Sequence, residues 1–207
     1  MKERFEAFYN DHLKKFGSTA QGVGWKNDVA QRIRFEQLIK LIKREANNFS
    51  INDLGCGTGD FVHFLQENSF QFTYQGYDVM PEMVEQALHR FGQLPPIAFH
   101  LIESAHEMEI SDYTVASGIF NIRFNCNDDT WLEHILETLS SMNKKSTDGF
   151  AFNILTKYSD REFMKEELYY ADPGFLFDHC KKNFSKNVAL LHDYDQYDFT
   201  IIVRKTL

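Results

Sequence analysis

The stretch Ser50-Ile51-Asn52-Asp53-Leu54-Gly55-Cys56-Gly57-Thr58-Gly59-Asp60 decides how the rest of the chain is read. It passes from a short apolar run, through three alternating glycines, into a helical pattern over Asp60–Gln66. Glycines at such a junction let the backbone turn sharply and bring the main-chain N–H groups of a helix start against a ligand. The dinucleotide fingerprint G-x-G-x-x-G would need glycine at position 60, where Asp60 stands, and the phosphate loop G-x-x-x-x-G-K-[ST] lacks its lysine. Asp53, two residues before the first glycine, would repel a pyrophosphate and suits a cationic ligand. Asp78, 23 residues after Gly55, closes the next strand candidate, where a carboxylate can accept both hydroxyls of a ribose. The two acids together call for a ligand with a ribose and a positive charge and no phosphate.

Outward from this loop, short apolar runs alternate with helical patterns. Strand candidates are Ser50–Leu54, Phe72–Asp78, Ile97–Ile102, Tyr113–Ser117, Gly149–Thr156, Asn187–His192 and Phe199–Arg204. Helix candidates between them are Asp60–Gln66, Pro81–Phe91, Thr130–Met142 and Pro173–Lys182. That alternation predicts an α/β fold, a doubly wound, mostly parallel seven-stranded sheet with helices on both faces. About six residues separate the last two strands, too few for a crossover, so the final strand should run antiparallel. About ten residues between Ile102 and Tyr113 leave room for a very short helix or none. Upstream, residues 2–16 place Phe5, Phe8, Tyr9, His12, Leu13 and Phe16 at helical spacing. A second helix is expected from Asp28 to Ala46, with Val29, Ile33, Leu38, Leu41 and Ile42 as its apolar stripe. Residues 1–48 then form a helical cap on a core of residues 49–207, all within one domain.

The 207 residues are 43% hydrophobic and include 20 Phe, enough for a packed core and too apolar for a disordered chain. No apolar stretch reaches the ~18–20 residues of a membrane span, and the charged start MKERFEAFYN lacks an apolar signal segment. Cys56, Cys126 and Cys180 are far apart, which speaks against a disulfide framework or zinc site and for a reducing, cytoplasmic setting. The net charge of −8 makes a phosphate backbone a poor partner, so neither nucleic acid nor membrane is expected. No metal site and no oligomeric state can be read from the residues.

At Asp53–Gly59 and Asp78 the sequence resembles the class I S-adenosylmethionine-dependent methyltransferases. Their acidic-x-G-x-G-x-G motif matches at every required position, and their acid closing the second strand matches Asp78 in GYDVMPEMV. The segment Glu103-Ser104-Ala105 stands where they carry an acid followed by small residues, and Ser117-Gly118-Ile119-Phe120-Asn121 where their fourth motif falls. The resemblance implies a Rossmann-like methyltransferase fold with a reversed last strand. It implies S-adenosylmethionine as cofactor and S-adenosylhomocysteine as product. By this likeness Asp53 anchors the methionine amino group, Gly55, Cys56 and Gly57 pass beneath the cofactor, and Asp78 holds the ribose. Val79 and Met80 pack on the adenine, Glu103, Ser104 and Ala105 meet its edge, and Ser117 lines the sulfonium end.

The acceptor site has to be sought where the family varies. Trp25 is either a lid over the cofactor or a staple at a helix entry, and Arg34 either reaches the cofactor carboxylate or is solvated. His192 is the natural general base by its near-neutral pKa, with Tyr169, Tyr170, Asp172, Asn121, Arg123 and Asn125 as further pocket candidates. The expected function is methyl transfer to a small molecule, on a hydroxyl or an amine. The acidic residues Asp193, Asp195 and Asp198 lean toward a cationic or neutral acceptor. The alternatives are a non-catalytic cofactor-binding scaffold protein and a protein methyltransferase.

Overall fold

The computed structural model describes residues 11–12, 14–17, 19, 21–22, 27–43, 48–92 and 95–205. Seven strands form one sheet: β1 (Phe49–Leu54), β2 (Phe72–Asp78), β3 (Ile97–Leu101), β4 (Ser111–Ser117), β5 (Ser146–Leu155), β6 (Asn187–Leu191) and β7 (Asp198–Arg204). Their order is β3-β2-β1-β4-β5-β7-β6. All neighbours pair parallel except β7, which is antiparallel to both β5 and β6. The strand order reverses between β1 and β4, the place where sheets of this kind open a crevice at their carboxyl ends.

Helices α1 (Asp28–Leu38), α2 (Asp60–Glu67) and α3 (Pro81–Phe91) cover one face, and α4 (Asp128–Lys144) and α5 (Pro173–Asn183) the other. Two apolar clusters result. The first joins Phe35, Leu38 and Leu41 to Ile51, Phe61, Leu65 and Phe99. The second joins Phe120, Trp131, Ile135 and Leu139 to Phe150, Phe152 and Ile201. Local chemistry sets the helix starts. Pro81 and Pro173 take first-turn positions, where a missing N–H costs nothing. Asn127 accepts from the Thr130 N–H at 2.9 Å, so α4 begins two residues before the sequence pattern suggests.

The N-terminal region departs from expectation. The second helix stops at Leu38 and tightens into a 3-10 turn over Ile39–Leu41. Val29, placed on the apolar stripe, is 67% exposed, while Ala30, Gln31, Arg34, Phe35, Gln37 and Leu38 form the buried face. Periodicity misjudged the face because the inward side carries an arginine and two glutamines that find partners in the tertiary structure. Phe35, Leu38 and Leu41 belong to the core cluster of β1, so residues 28–42 pack on the sheet face, and Gln31, Arg34 and Phe35 also line the cavity described below. Residues 11–12 and 14–16 are helical; the rest of the first expected helix, and Trp25, lie outside the described residues. Between β3 and β4 there is only a 3-10 turn, Ala105–Glu107, in line with the short connection. Among the described residues no helix is long and apolar enough to cross a membrane, and Cys56, Cys126 and Cys180 are free thiols.

Candidate active site

A cavity of about 1200 Å³ opens at the carboxyl ends of β1, β2 and β4. Asp53, Gly55, Cys56, Gly57, Asp78, Val79, Met80, Glu103, Ser104, Ala105 and Ser117 all line it. The glycine loop is held tightly. The Gly55 and Cys56 N–H groups both donate to the Tyr77 carbonyl, at 2.7 and 3.1 Å. Gly55 has φ +75°, and a Cβ there would lie 2.2 Å from Ile119 Cγ2, so no other residue fits without moving the wall. Arg90, from α3, donates to the Thr58 carbonyl at 2.7 Å and to Asp60 Oδ1 at 2.7 Å, while Gln31 of α1 reaches Asp60 Oδ2 at 3.2 Å.

Asp53 ends up 3% exposed. The Tyr74 hydroxyl, on the neighbouring strand and fully buried, donates to its Oδ2 at 2.6 Å. Burial raises the Asp53 carboxyl to about 7; the Tyr74 hydrogen bond pulls it down, and Asp78 and Asp60 add like-charge repulsion. A buried acid of this kind, with no ion pair among the described residues, is matched to a ligand that brings a cation. Asp78 is held in turn: the Gly57 N–H donates to its Oδ2 at 2.9 Å and the Met80 N–H to its Oδ1 at 2.9 Å. Burial raises its carboxyl as well. Backbone hydrogen bonds from Met80, Gly57 and Val79 offset part of that rise.

Past β3, Ser104 caps the 3-10 turn. Glu107 Oε1 accepts the Glu103 and Ser104 N–H groups, both at 2.8 Å. The Glu103 side chain itself is exposed. At the end of β4, the buried Asn153 of β5 accepts the Gly118 N–H at 2.9 Å and donates to Ser117 Oγ at 3.3 Å. The 119–126 loop is stitched to the 157–171 loop. Tyr169 N–H donates to the Asn121 carbonyl at 2.8 Å, and the Arg123 and Phe124 N–H groups share the Glu167 carbonyl, at 3.0 Å each. Phe124 sits in the cavity wall at φ +48°, a conformation that costs a bulky residue energy and that these bonds enforce.

Other sequence candidates fall elsewhere. His192 is exposed at the end of β6, between the Tyr158 and Phe199 rings and outside the cavity wall; the histidines in the wall are His12, His106 and His134. It was proposed for its intrinsic pKa and strand-end position, but β6 lies at the far edge of the sheet, away from the β1/β4 crevice. Asp172 caps α5 and pairs with Lys157, and the Tyr170 hydroxyl accepts the Lys165 N–H. Arg34 is not solvated: it lines the cavity, and its guanidinium pairs with the buried Asp198 of β7. Asp193 and Asp195 are exposed and absent from the wall, so the acidic group that leaned toward a cationic acceptor does not border the cavity. Sequence reasoning missed Tyr74, Asn153, His106 and His134. Only contacts between separate elements single them out, and no local pattern would.

The glycine loop, two buried acids at successive strand ends and a crevice beside β4 mark a site for an adenosyl ligand with a positive charge. Residues 51–145 match the family described as a methyltransferase domain. A Mycobacterium tuberculosis strain H37Rv protein, provisionally named methyltransferase Rv1506c, is 51% identical over 164 residues, which is 79% of this chain and 98% of that protein. The chain belongs to the class I S-adenosylmethionine-dependent methyltransferases. Solved structures share the fold. Magnesium protoporphyrin IX methyltransferase of Synechocystis PCC 6803, with bound S-adenosylhomocysteine, gives a TM-score of 0.68 at 14% identity over 99% of this chain and 97% of its own. The N-methyltransferase NodS of Bradyrhizobium japonicum WM9 gives 0.63 at 14% identity over 96% and 97%.

This methyltransferase uses S-adenosylmethionine, and its wall fits that molecule. The buried, raised Asp53 suits a ligand that brings a cationic group. A pH dependence follows. If Asp53 binds the cofactor's ammonium group, as proposed below, cofactor affinity should be flat above pH 7, where Asp53 is ionised in the free protein; below it the carboxyl must first lose a proton, so affinity should fall by up to tenfold per pH unit. Stability of the free protein should run the other way. The folded carboxyl titrates about three units above its unfolded value of 3.8. The folded state therefore binds more protons between pH 4 and 7, and this group destabilises it as pH rises through that window. Titration calorimetry with S-adenosylhomocysteine from pH 5.5 to 8.5 checks the first trend; an affinity flat across that range would exclude the assignment of Asp53.

Proposed function

We propose that this methyltransferase transfers its methyl group to a small-molecule acceptor. The observation that carries the reading is the size and continuity of the cavity. At about 1200 Å³ it exceeds the ~300–1,000 Å³ usual for one drug-sized ligand, leaving room for an acceptor beside the cofactor. The stitched 119–126 and 157–171 loops wall the far end with Ile122, Phe124 and Leu168, which suits a compact ligand better than a polymer. The net charge of −8 argues against a nucleic-acid acceptor. Likeness in fold to a magnesium protoporphyrin IX methyltransferase is in keeping with a small acceptor.

In this reading Asp53 binds the methionine ammonium group, with the Tyr74 hydroxyl fixing the carboxylate. Gly55, Cys56 and Gly57 pass beneath the cofactor, and Asp78 accepts the ribose hydroxyls. Val79 and Met80 lie on the adenine face, Glu103, Ser104 and Ala105 at its edge, and Ser117 at the sulfonium end. When bound, the cofactor supplies an electrophilic methyl group; the protein positions the acceptor in line and excludes water. Incubation with methyl-labelled cofactor and a cell metabolite extract should place label in a low-mass product one methylene heavier than its precursor. Label confined to tRNA, DNA or protein would overturn the small-molecule reading.

A further inference from the structure

We propose that the wall at the end of β4 selects an oxygen nucleophile already ionised near neutral pH, a carboxylate or an acidic phenol, as the methyl acceptor. The inference rests on the small-molecule reading, in which Ser117 borders the reacting centre.

Two carboxamides set the polarity of this wall, and backbone donors fix which way each is turned. The Gly118 N–H can only point to an acceptor, so the Asn153 atom 2.9 Å away is Oδ1 and the arm reaching Ser117 Oγ at 3.3 Å is the donor Nδ2. Asn153 is fully buried, and its orientation is set by the fold. The Ser117 hydroxyl thus receives a hydrogen bond from behind, which leaves its own proton for the cavity. Asn121 repeats the arrangement. The Leu155 N–H donates to its Oδ1 at 3.1 Å, so Nδ2 is the remaining arm, and among the described residues no group accepts from it. Ser117 and Asn121 both line the cavity, and no carboxylate or imidazole stands between them in residues 117–121. Lys165 and Glu167, from the facing loop, also line it with opposite charges, and Glu103 and Glu137 line it from other elements; at the end of β4 itself the polar groups are the donor pair.

A wall of donors suits a nucleophile with a lone pair to spare. A carboxylate or phenolate oxygen forms the new O–CH₃ bond with one lone pair while the C–S bond breaks. That bond's electron pair goes to sulfur, the sulfonium becomes a neutral thioether, and no proton has to be removed. The oxygen's remaining lone pairs accept from Ser117 and Asn121. An attacking amine has no second lone pair, and its N–H groups would meet donors. An aliphatic alcohol would need a base, which residues 117–121 do not contain; of the wall histidines on other elements, His106 is engaged by the Ser141 hydroxyl and His134 packs on the Trp131 ring.

Asn121→Asp tests this, because it keeps an acceptor for the Leu155 N–H and exchanges the donor arm for a second acceptor. S-adenosylhomocysteine binding to the variant confirms that the fold is intact. In the S-adenosylhomocysteine complex, benzoate should raise the thermal midpoint of the unmodified protein and benzylamine should not; in the variant the order should reverse. With methyl-labelled cofactor and a metabolite extract, the label should appear as an alkali-labile methyl ester or an aryl ether, and its rate should fall at least tenfold in the variant. A methylated amine retained on a cation exchanger, an aliphatic ether, or benzylamine binding at least as well as benzoate would overturn the inference. So would failure of both probes to bind. Label found only in macromolecules would instead sink the small-molecule reading, and the probe comparison would still decide this one.

Discussion

Arg34→Ala should destabilise the protein by about 3–5 kcal/mol, the usual cost of removing one partner of a buried ion pair. For a chain of this size that lowers the thermal midpoint by roughly 6–20 °C. Arg34 Nε donates to Asp198 Oδ2, and its Nη1 donates to the Ala30 carbonyl at 2.6 Å and to Gln196 Oε1 at 3.3 Å. The side chains are 8% and 0% exposed, so water screens little of the attraction. Burial pushes the Asp198 carboxyl up, and the guanidinium offsets part of that. Without Arg34, Asp198 must take up a proton or draw water into the junction between α1 and β7. The double variant Arg34→Met with Asp198→Leu should regain much of the loss, since two apolar groups leave no uncompensated charge. Urea unfolding followed by circular dichroism measures both. A loss under about 1 kcal/mol in the single variant would mean the pair behaves like an exposed one.

Asp78→Ala should weaken S-adenosylhomocysteine binding by roughly 10²-fold or more. On the proposed ribose role, two charge-assisted hydrogen bonds are removed, each worth ~1.5–3 kcal/mol, and every 1.4 kcal/mol is tenfold. An exposed carboxylate at a strand end would contribute little to the fold. The structure revises that, because Asp78 also holds the Gly57 and Met80 N–H groups. Deleting it should cost about 1–3 kcal/mol of stability through the orphaned donors and loosen the glycine loop. Asp78→Asn separates the two roles. One oxygen stays to accept a backbone N–H, but the amide nitrogen can no longer accept a hydroxyl. Calorimetric affinity should fall in both variants, and the thermal midpoint should fall more in the alanine variant. Unchanged affinity in a folded Asp78→Ala protein would remove the ribose assignment and leave the cofactor reading on the glycine loop and Asp53.

The glycine-loop side of the cavity wall was legible because it is local in sequence. Asp53 through Gly59 lie on one strand-to-helix turn, and Asp78 ends the strand that pairs beside it. A glycine at φ +75° is demanded by the backbone itself, and an acid that closes a strand is placed by the strand's own length, so spacing reveals both. The seven strands and the reversed last one were legible for the same reason. Strands buried on both faces, such as Phe150–Ile154, read as continuous apolar runs, and a six-residue connection cannot cross over.

What only the tertiary structure decided is which polar groups face each other. Amphipathic spacing placed Val29 inward, yet the buried face of α1 carries Arg34, because Asp198 waits 164 residues away to neutralise it. His192 has the intrinsic chemistry of a base but stands just past the end of β6, at the edge of the sheet and outside the cavity wall. Tyr74 beneath Asp53, Asn153 behind Ser117 and the stitched loops that hold Phe124 are contacts between elements far apart along the chain. Periodicity reports burial, and burial alone does not say which partner is across the gap. The order β3-β2-β1-β4-β5-β7-β6 supplies those partners, and with them the raised carboxyl of Asp53 and the donor wall at the end of β4.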